Sequence, residues 1–171
     1  MTMSTADLLH TEVDAVIRFG NCNWNDGTSY LLFDEQVSAV CSLGWLKENG
    51  TPETLAELMA CSLLTDDPTS EGWLTWEQWF HTLGERPGKL KYGLRTSLYT
   101  DAVQAARDGQ GAVLGWDRLL HEYFASGELM RVANVVLPMS DAYYLVVPHG
   151  RSITPMIQAL MELLRQAAGM T

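Results

Sequence analysis

Basic residues are scarce in this chain of 171 residues: 11 Lys and Arg stand against 21 Asp and Glu, a formal net charge of -10. Affinity for nucleic acid is dominated by Lys and Arg neutralising phosphates, so this chain alone is not expected to bind DNA. Cysteine is sparse as well. Cys22, Cys41 and Cys61 make no CxxC pair, and with His10, His81, His121 and His149 scattered no zinc spacing arises. Reduced thiols, no metal and no cofactor are the expectation. No apolar run reaches the roughly 18 residues of a membrane span, and no basic segment leads into an apolar one at the N-terminus. A cytoplasmic protein with no membrane partner is therefore expected.

Catalytic signatures are missing too. The nucleophile elbow GxSxG does not occur. The "GQG" at 109–111 is too short for a dinucleotide fingerprint, and it follows a helical pattern where a phosphate site needs the helix to come after. Asp66 and Asp67 could act as an acid–base pair, but acids followed by Pro68 more often make a turn. A hydrolase or transferase thus has no nucleophile and base that can be paired from sequence.

What is present is a folding pattern. A hydrophobic fraction of 47% with 19% charged residues fits a folded globular chain. Short β-rich runs alternate with helical ones, the mark of an α/β fold with a largely parallel sheet. "VDAVIRF", "QVSAVCSL", "CSLLT", "KLKYGLRT", "AVLGW" and "DAYYLVVP" read as strands. "TPETLAELMA" reads as a helix capped by Thr51 with Pro52 at its first position, and "EGWLTWEQWFHTLG" as one that ends near Gly84. "YTDAVQAARDGQG" is a helix with Thr100 near its start, "DRLLHEYFASG" a short one, and "TPMIQALMELLRQAA" an amphipathic one that closes the chain. Trp24, Trp45, Trp73, Trp76, Trp79 and Trp116 are many for this length, and core packing is the simpler account of them.

Polar residues gather where strands end and helices begin. In open α/β sheets small ligands bind beyond the carboxyl ends of strands, where helix N-termini offer N–H groups to anions. "TDDPTS" and "RTSLYT" both stand at such junctions, although turn and capping chemistry would explain each singly.

"DLLHTEVDAVIRFGNCNW", "LFDEQVSAVCS", "LAELMACSLLTDD", "AVQAARDGQGAVLGWDRLL", "FASGELMRV" and "AYYLVVPHGR" together resemble, in order and spacing, the effector-binding domain of LysR-type transcriptional regulators. The "IRFG" plus Trp loop, the "W..WF" helix and "AYYLV" resemble the branch with regulators of glycine cleavage and chromosomal β-lactamase genes. The resemblance implies a two-lobed fold similar to periplasmic solute-binding proteins. The first lobe would comprise residues 1–35 and 136–171, the second residues 36–135, with a small-molecule effector in the cleft. Family members carry a winged helix-turn-helix, a linker helix and a first strand, helix and strand ahead of the segment matched here. The resemblance therefore implies DNA contact only through a domain missing from this chain. An uncovered strand edge and apolar surface in the first lobe would also favour a homo-oligomer.

For the site, the resemblance implies Arg18, Phe19, Gly20, Trp24 and Tyr143 from the first lobe, and Thr65, Asp66, Ser97, Tyr99 and Thr100 from the second. Thr100 is the expected cap of its helix. Arg18 suits a carboxylate-bearing effector through a bidentate fork; a structural ion pair with an acid of its own lobe explains it equally well. The expected function is effector sensing without catalysis, and the alternative is a solute-binding protein of a transport system.

Overall fold

A computed structural model describes residues 13–66 and 74–168. Its chain divides into two compact units, one of residues 1–35 with 139–171, the other of residues 36–138.

The first unit is a small sheet with one helix against it. β1 (Val16–Gly20) pairs antiparallel with β6 (Met130–Pro148), Val16 opposite Val146 and Gly20 opposite Ala142. Side chains alternate across a strand. Tyr143, Leu145 and Val147 of β6 and Leu32 of β2 (Gly27–Cys41) thus share a face, where they form a core with Ile157 and Met161 of α6 (Pro155–Ala167). α6 starts where expected, the Thr154 hydroxyl accepting the Ile157 N–H at 3.2 Å and Pro155 standing at the first helical position.

β2 and β6 both run on into the second unit, and the strand order β1-β6-β2-β5 follows, with β5 at Val113–Trp116. β2 and β5 are antiparallel, Val37 opposite Trp116 and Val40 opposite Val113. β3 (Leu63–Thr65) and β4 (Tyr92–Arg95) pair in parallel, and a parallel bridge from Leu63 to Ala112 ties β3 to β5. The expectation of a largely parallel sheet is therefore corrected. Alternating strands and helices give parallel neighbours only where each crossover returns beside the strand it left; here β1–β6 and β2–β5 lie side by side running in opposite directions.

The second unit also holds α1 (Leu43–Asn49), α2 (Leu55–Ala60), α3 (Trp76–Thr82), α4 (Tyr99–Arg107) and α5 (His121–Ser126). Val40, Leu64, Val103, Val113, Leu120 and Leu129 belong to its core. Trp45, Trp76, Trp79 and Trp116 are buried and Trp24 half-buried, while Trp73 lies outside the described residues. On α3, Thr75 and Gln78 form a reciprocal capping box that aims three aromatics inward, Trp76 and Trp79 meeting edge to face at 5.8 Å and Phe80 stacking on Trp76 at 5.6 Å. The start of α2 needs correction. Its cap is Thr54, whose hydroxyl accepts the Glu57 N–H at 3.2 Å, rather than Thr51. Pro52 stays outside the helix, its carbonyl taking the Ala133 N–H at 2.9 Å.

Candidate functional site

The two polar junctions meet in the second unit. The Thr96 N–H donates to the Thr65 carbonyl at 2.9 Å, and the Thr96 hydroxyl to the Leu98 carbonyl at 2.8 Å. Thr65 and Asp66, at the carboxyl end of β3, thus stand beside the turn that enters α4. Tyr99, the first residue of α4, accepts the backbone N–H of Trp116 at 3.1 Å, and the Trp76 indole N–H donates to the Leu64 carbonyl at 2.9 Å. Thr65, Asp66, Leu74, Trp76, Tyr99 and Trp116 line a cavity of about 10 Å³, room for roughly one water molecule. Ser97 and Thr100 are exposed next to Tyr99.

Thr100 is not the cap it was expected to be. The cap position is Leu98, whose side chain makes no cap hydrogen bond. The Thr96 hydroxyl donates to the Leu98 carbonyl within the turn, and the helix begins two residues sooner than a Thr100 cap would require. The result is a nine-residue helix whose cap residue supplies no side-chain acceptor and whose first turn carries Asp101, next to Asp66 and two hydroxyl-bearing residues. Such a helix start favours an anionic group.

The first-unit candidates form a separate cluster. Arg18 makes a two-pronged salt bridge to Asp26, Nη1 to Oδ1 at 2.7 Å and Nη2 to Oδ2 at 2.8 Å, with side-chain exposures of 8% and 14%. Its guanidinium lies 5.6 Å from the Trp24 ring centroid, and Trp24 meets Tyr144 edge to face at 5.7 Å. Trp24 lies so close over Gly20 that a Cβ there would meet the ring at 2.8 Å. Phe19 and Tyr143 point to the other face, into the α6 core, where Tyr143 stacks obliquely on Phe19 and Phe33 at 4.9 Å each. Burial, with Glu35 nearby, holds the Tyr143 phenol well above its ordinary pKa. The local geometry thus commits Arg18 to ordering the 21–26 loop.

Two carboxylates with defined roles were not singled out in the sequence. Asp26 carries its only signal in standing at the far end of the loop that follows the strand of Arg18. Asp117 is buried directly after β5 and receives Gln36 Nε2 at 2.7 Å, Ser38 Oγ at 2.9 Å and Arg131 Nη2 at 2.7 Å. Its donors come from β2 and β6, which no local motif announces. Burial pushes the Cys41 thiol up to about 12, which suits packing and not nucleophilic chemistry. Among the described residues no group of three or more His, Cys, Asp or Glu could hold a metal ion, and no helix is long and apolar enough to cross a membrane.

The family model of the LysR substrate binding domain matches residues 2–169 of the chain. The chain belongs to this family. The HTH-type transcriptional regulator DsdC of Escherichia coli K12 is 29% identical over 168 residues, covering 94% of this chain and 52% of DsdC. The glycine cleavage system transcriptional activator of the same organism is 31% identical over 143 residues, 82% of this chain and 45% of the activator. The chain spans about half the length of these curated relatives. The effector domain of AmpR from Pseudomonas aeruginosa matches with a TM-score of 0.70 at 21% identity, covering 96% of this chain and 76% of that one. The AmpR effector binding domain from Citrobacter freundii matches with a TM-score of 0.71 at 20% identity, covering 97% and 80%. At that identity the likeness speaks for the fold, the α/β architecture of LysR effector-binding domains.

Proposed function

We propose that this LysR-family chain is a non-catalytic sensing module that recognises a small anionic or zwitterionic effector. The observation that carries the proposal is the second-unit junction, where Thr65, Asp66 and Tyr99 surround a small cavity beside the uncapped start of α4. A carboxylate seated at that helix start gains the helix dipole and backbone N–H groups, and Asp66 offers an ammonium a counter-charge. Ser97 and Thr100 supply hydroxyls at the rim. Arg18 stands outside this ligand set, since Asp26 occupies both prongs of its fork. The named relatives are transcriptional regulators, which favours regulation over solute transport. Effector binding would act by favouring one arrangement of the chain, a change read out by a DNA-binding domain elsewhere in the regulator.

The test is a thermal-shift screen of amino acids, small organic acids and cell-wall fragments, followed by calorimetry. A compound that raises the melting temperature should bind Tyr99→Phe and Ser97→Ala more weakly by roughly 0.5–3 kcal/mol per lost polar contact, with circular dichroism unchanged. A panel without a stabilising compound, or variants that bind as tightly as the parent, would overturn the reading.

A further inference from the structure

A recess of about 400 Å³ opens in the second unit at the far end of α4 from Tyr99. That is within the range of small-ligand sites, about 300–1,000 Å³. At about 1.5 Å of rise per residue the nine residues of α4 put it roughly 13 Å along the helix from the polar junction. The end of α4 meets the start of α1 here, where a Cβ on Gly109 would lie 3.7 Å from the Ser42 hydroxyl. One wall is a fixed hydrogen-bonded row. Arg107 donates through Nε to Glu128 at 2.9 Å and through Nη1 to Gln104 at 2.7 Å, with its guanidinium 4.4 Å over the Tyr123 ring. Gln104 Nε2 donates in turn to Asp108 Oδ1 at 2.9 Å, and the Ser126 hydroxyl to Glu128 at 3.1 Å. Glu128 thus neutralises Arg107, while Asp108 keeps its charge beside the last carbonyls of α4, the negative end of the helix dipole. The other wall is α1. Its Glu48 lines the recess, is exposed, and makes no hydrogen bond or ion pair among the described residues. Leu43 of the same helix, 44% exposed, adds an apolar surface.

From this arrangement we infer that the recess binds a linear aliphatic diamine, one ammonium held by Glu48, the other by Asp108 and the last carbonyls of α4, with the methylene chain lying on Leu43. Acids on two walls and an apolar side chain in the same recess match a ligand that is charged at both ends and hydrocarbon in the middle. Each ammonium carries three donors, so one end can serve a carboxylate and a carbonyl together. An anion would face two carboxylates, and a monoamine would leave one of them unmatched. The formal charge of -10 raises the local concentration of such a ligand without selecting it. Selection comes from the row of Asp108, Gln104, Arg107 and Glu128, whose hydrogen bonds fix one wall before the ligand arrives. The effector site at the start of α4 plays no part in it.

Calorimetry of the chain with putrescine and cadaverine at about 50 mM salt, where surface charge is only partly screened, should give saturable one-to-one binding. Butylamine and pentylamine should bind at least about tenfold more weakly. Glu48→Gln and Asp108→Asn keep the side-chain shape and remove a charge, and each should weaken the better diamine at least about fivefold with unchanged circular dichroism. Glu162→Gln, at an exposed acid of the first unit, should leave binding unchanged. The inference is overturned if neither diamine saturates by about 10 mM. It is equally overturned if monoamines bind as tightly as diamines, or if Glu162→Gln weakens binding as much as Glu48→Gln, since either result shows only a general attraction to an acidic chain.

Discussion

Both units carry a guanidinium–carboxylate pair, and the two pairs do different work. In the first unit Arg18 and Asp26 are eight residues apart, both nearly buried, and bound prong to prong, so the pair fastens a loop to the strand before it. In the second unit Asp117 gathers Gln36, Ser38 and Arg131 from two different strands, and Arg131 also stacks over Phe124 at 4.1 Å. One pair fastens the loop between β1 and β2; the other joins segments 79–81 and 14 residues apart in sequence. The tryptophans repeat the contrast. Trp24 of the first unit, half-buried, leans on Arg18 and Tyr144, whereas Trp76 and Trp79 are fully enclosed and spend their indole N–H groups on the carbonyls of Leu64 and Val37. The second unit thus has a rigid aromatic floor below its polar junction, and rigid support is what a ligand site needs.

The sharpest way to break this contrast is to remove an aromatic from each side. Trp79→Ala empties a fully buried site and leaves the Val37 carbonyl without its donor, a loss of about 3–5 kcal/mol. Trp24→Ala, from a half-buried ring, should cost less than half of that. Urea unfolding followed by circular dichroism measures both, and equal losses would mean that the enclosed floor confers no extra stability.

The next test sharpens the comparison of the ion pairs. Asp117→Ala strips three donors of one buried acceptor and should cost about 2–4 kcal/mol, while Arg18→Ala, which strands Asp26 near the surface, should cost about 1–2 kcal/mol. Arg18→Ala should also speed amide exchange in residues 21–26 more than anywhere in the second unit, since the loop loses its fastening. A uniform rise across the chain would show that Arg18 acts globally.

Much of the architecture could be read from the residues. Amphipathic spacing marked α6, and the spacing of its aromatics marked α3, because such periodicity is contained within one element. Strand direction was misjudged because pairing partners lie 73 to 130 residues apart, and short runs carry no mark of which way their neighbour runs. β2 and β6 were read as half their length for a related reason. "QVSAVC" and "DAYYLVVP" are apolar on both faces and announce strands, whereas the stretches Gly27–Glu35 and Met130–Ser140 mix polar and apolar residues. At the candidate site, Thr65, Asp66 and Tyr99 were legible as polar residues at strand–helix junctions, and they do line one cavity. Asp117 was not, since nothing local distinguishes an acid that bonds across strands from an acid in a turn.

The smallest expected effect is the most discriminating for helix starts. Thr54, Thr75 and Thr154 accept backbone N–H groups at the starts of α2, α3 and α6, whereas Thr100 sits inside α4 and caps nothing. Losing a true threonine cap costs about 1 kcal/mol, because a helix N–H loses its acceptor while water at the frayed end replaces it only in part. Thr154→Ala should therefore lower stability by that amount. Thr100→Ala should change it by less than about 0.5 kcal/mol, the scale of a surface substitution that breaks no feature; alanine's higher helix propensity works against any loss. The pair of variants separates two accounts of the α4 start. If Thr100→Ala proves as costly as Thr154→Ala, its hydroxyl takes a backbone N–H in solution, the first turn of α4 is closed, and the anion-binding role given to that turn loses its physical basis. If the cost is negligible, the turn's N–H groups stay open to a ligand, and weakened effector binding by Tyr99→Phe can be read as loss of a contact at an open helix start.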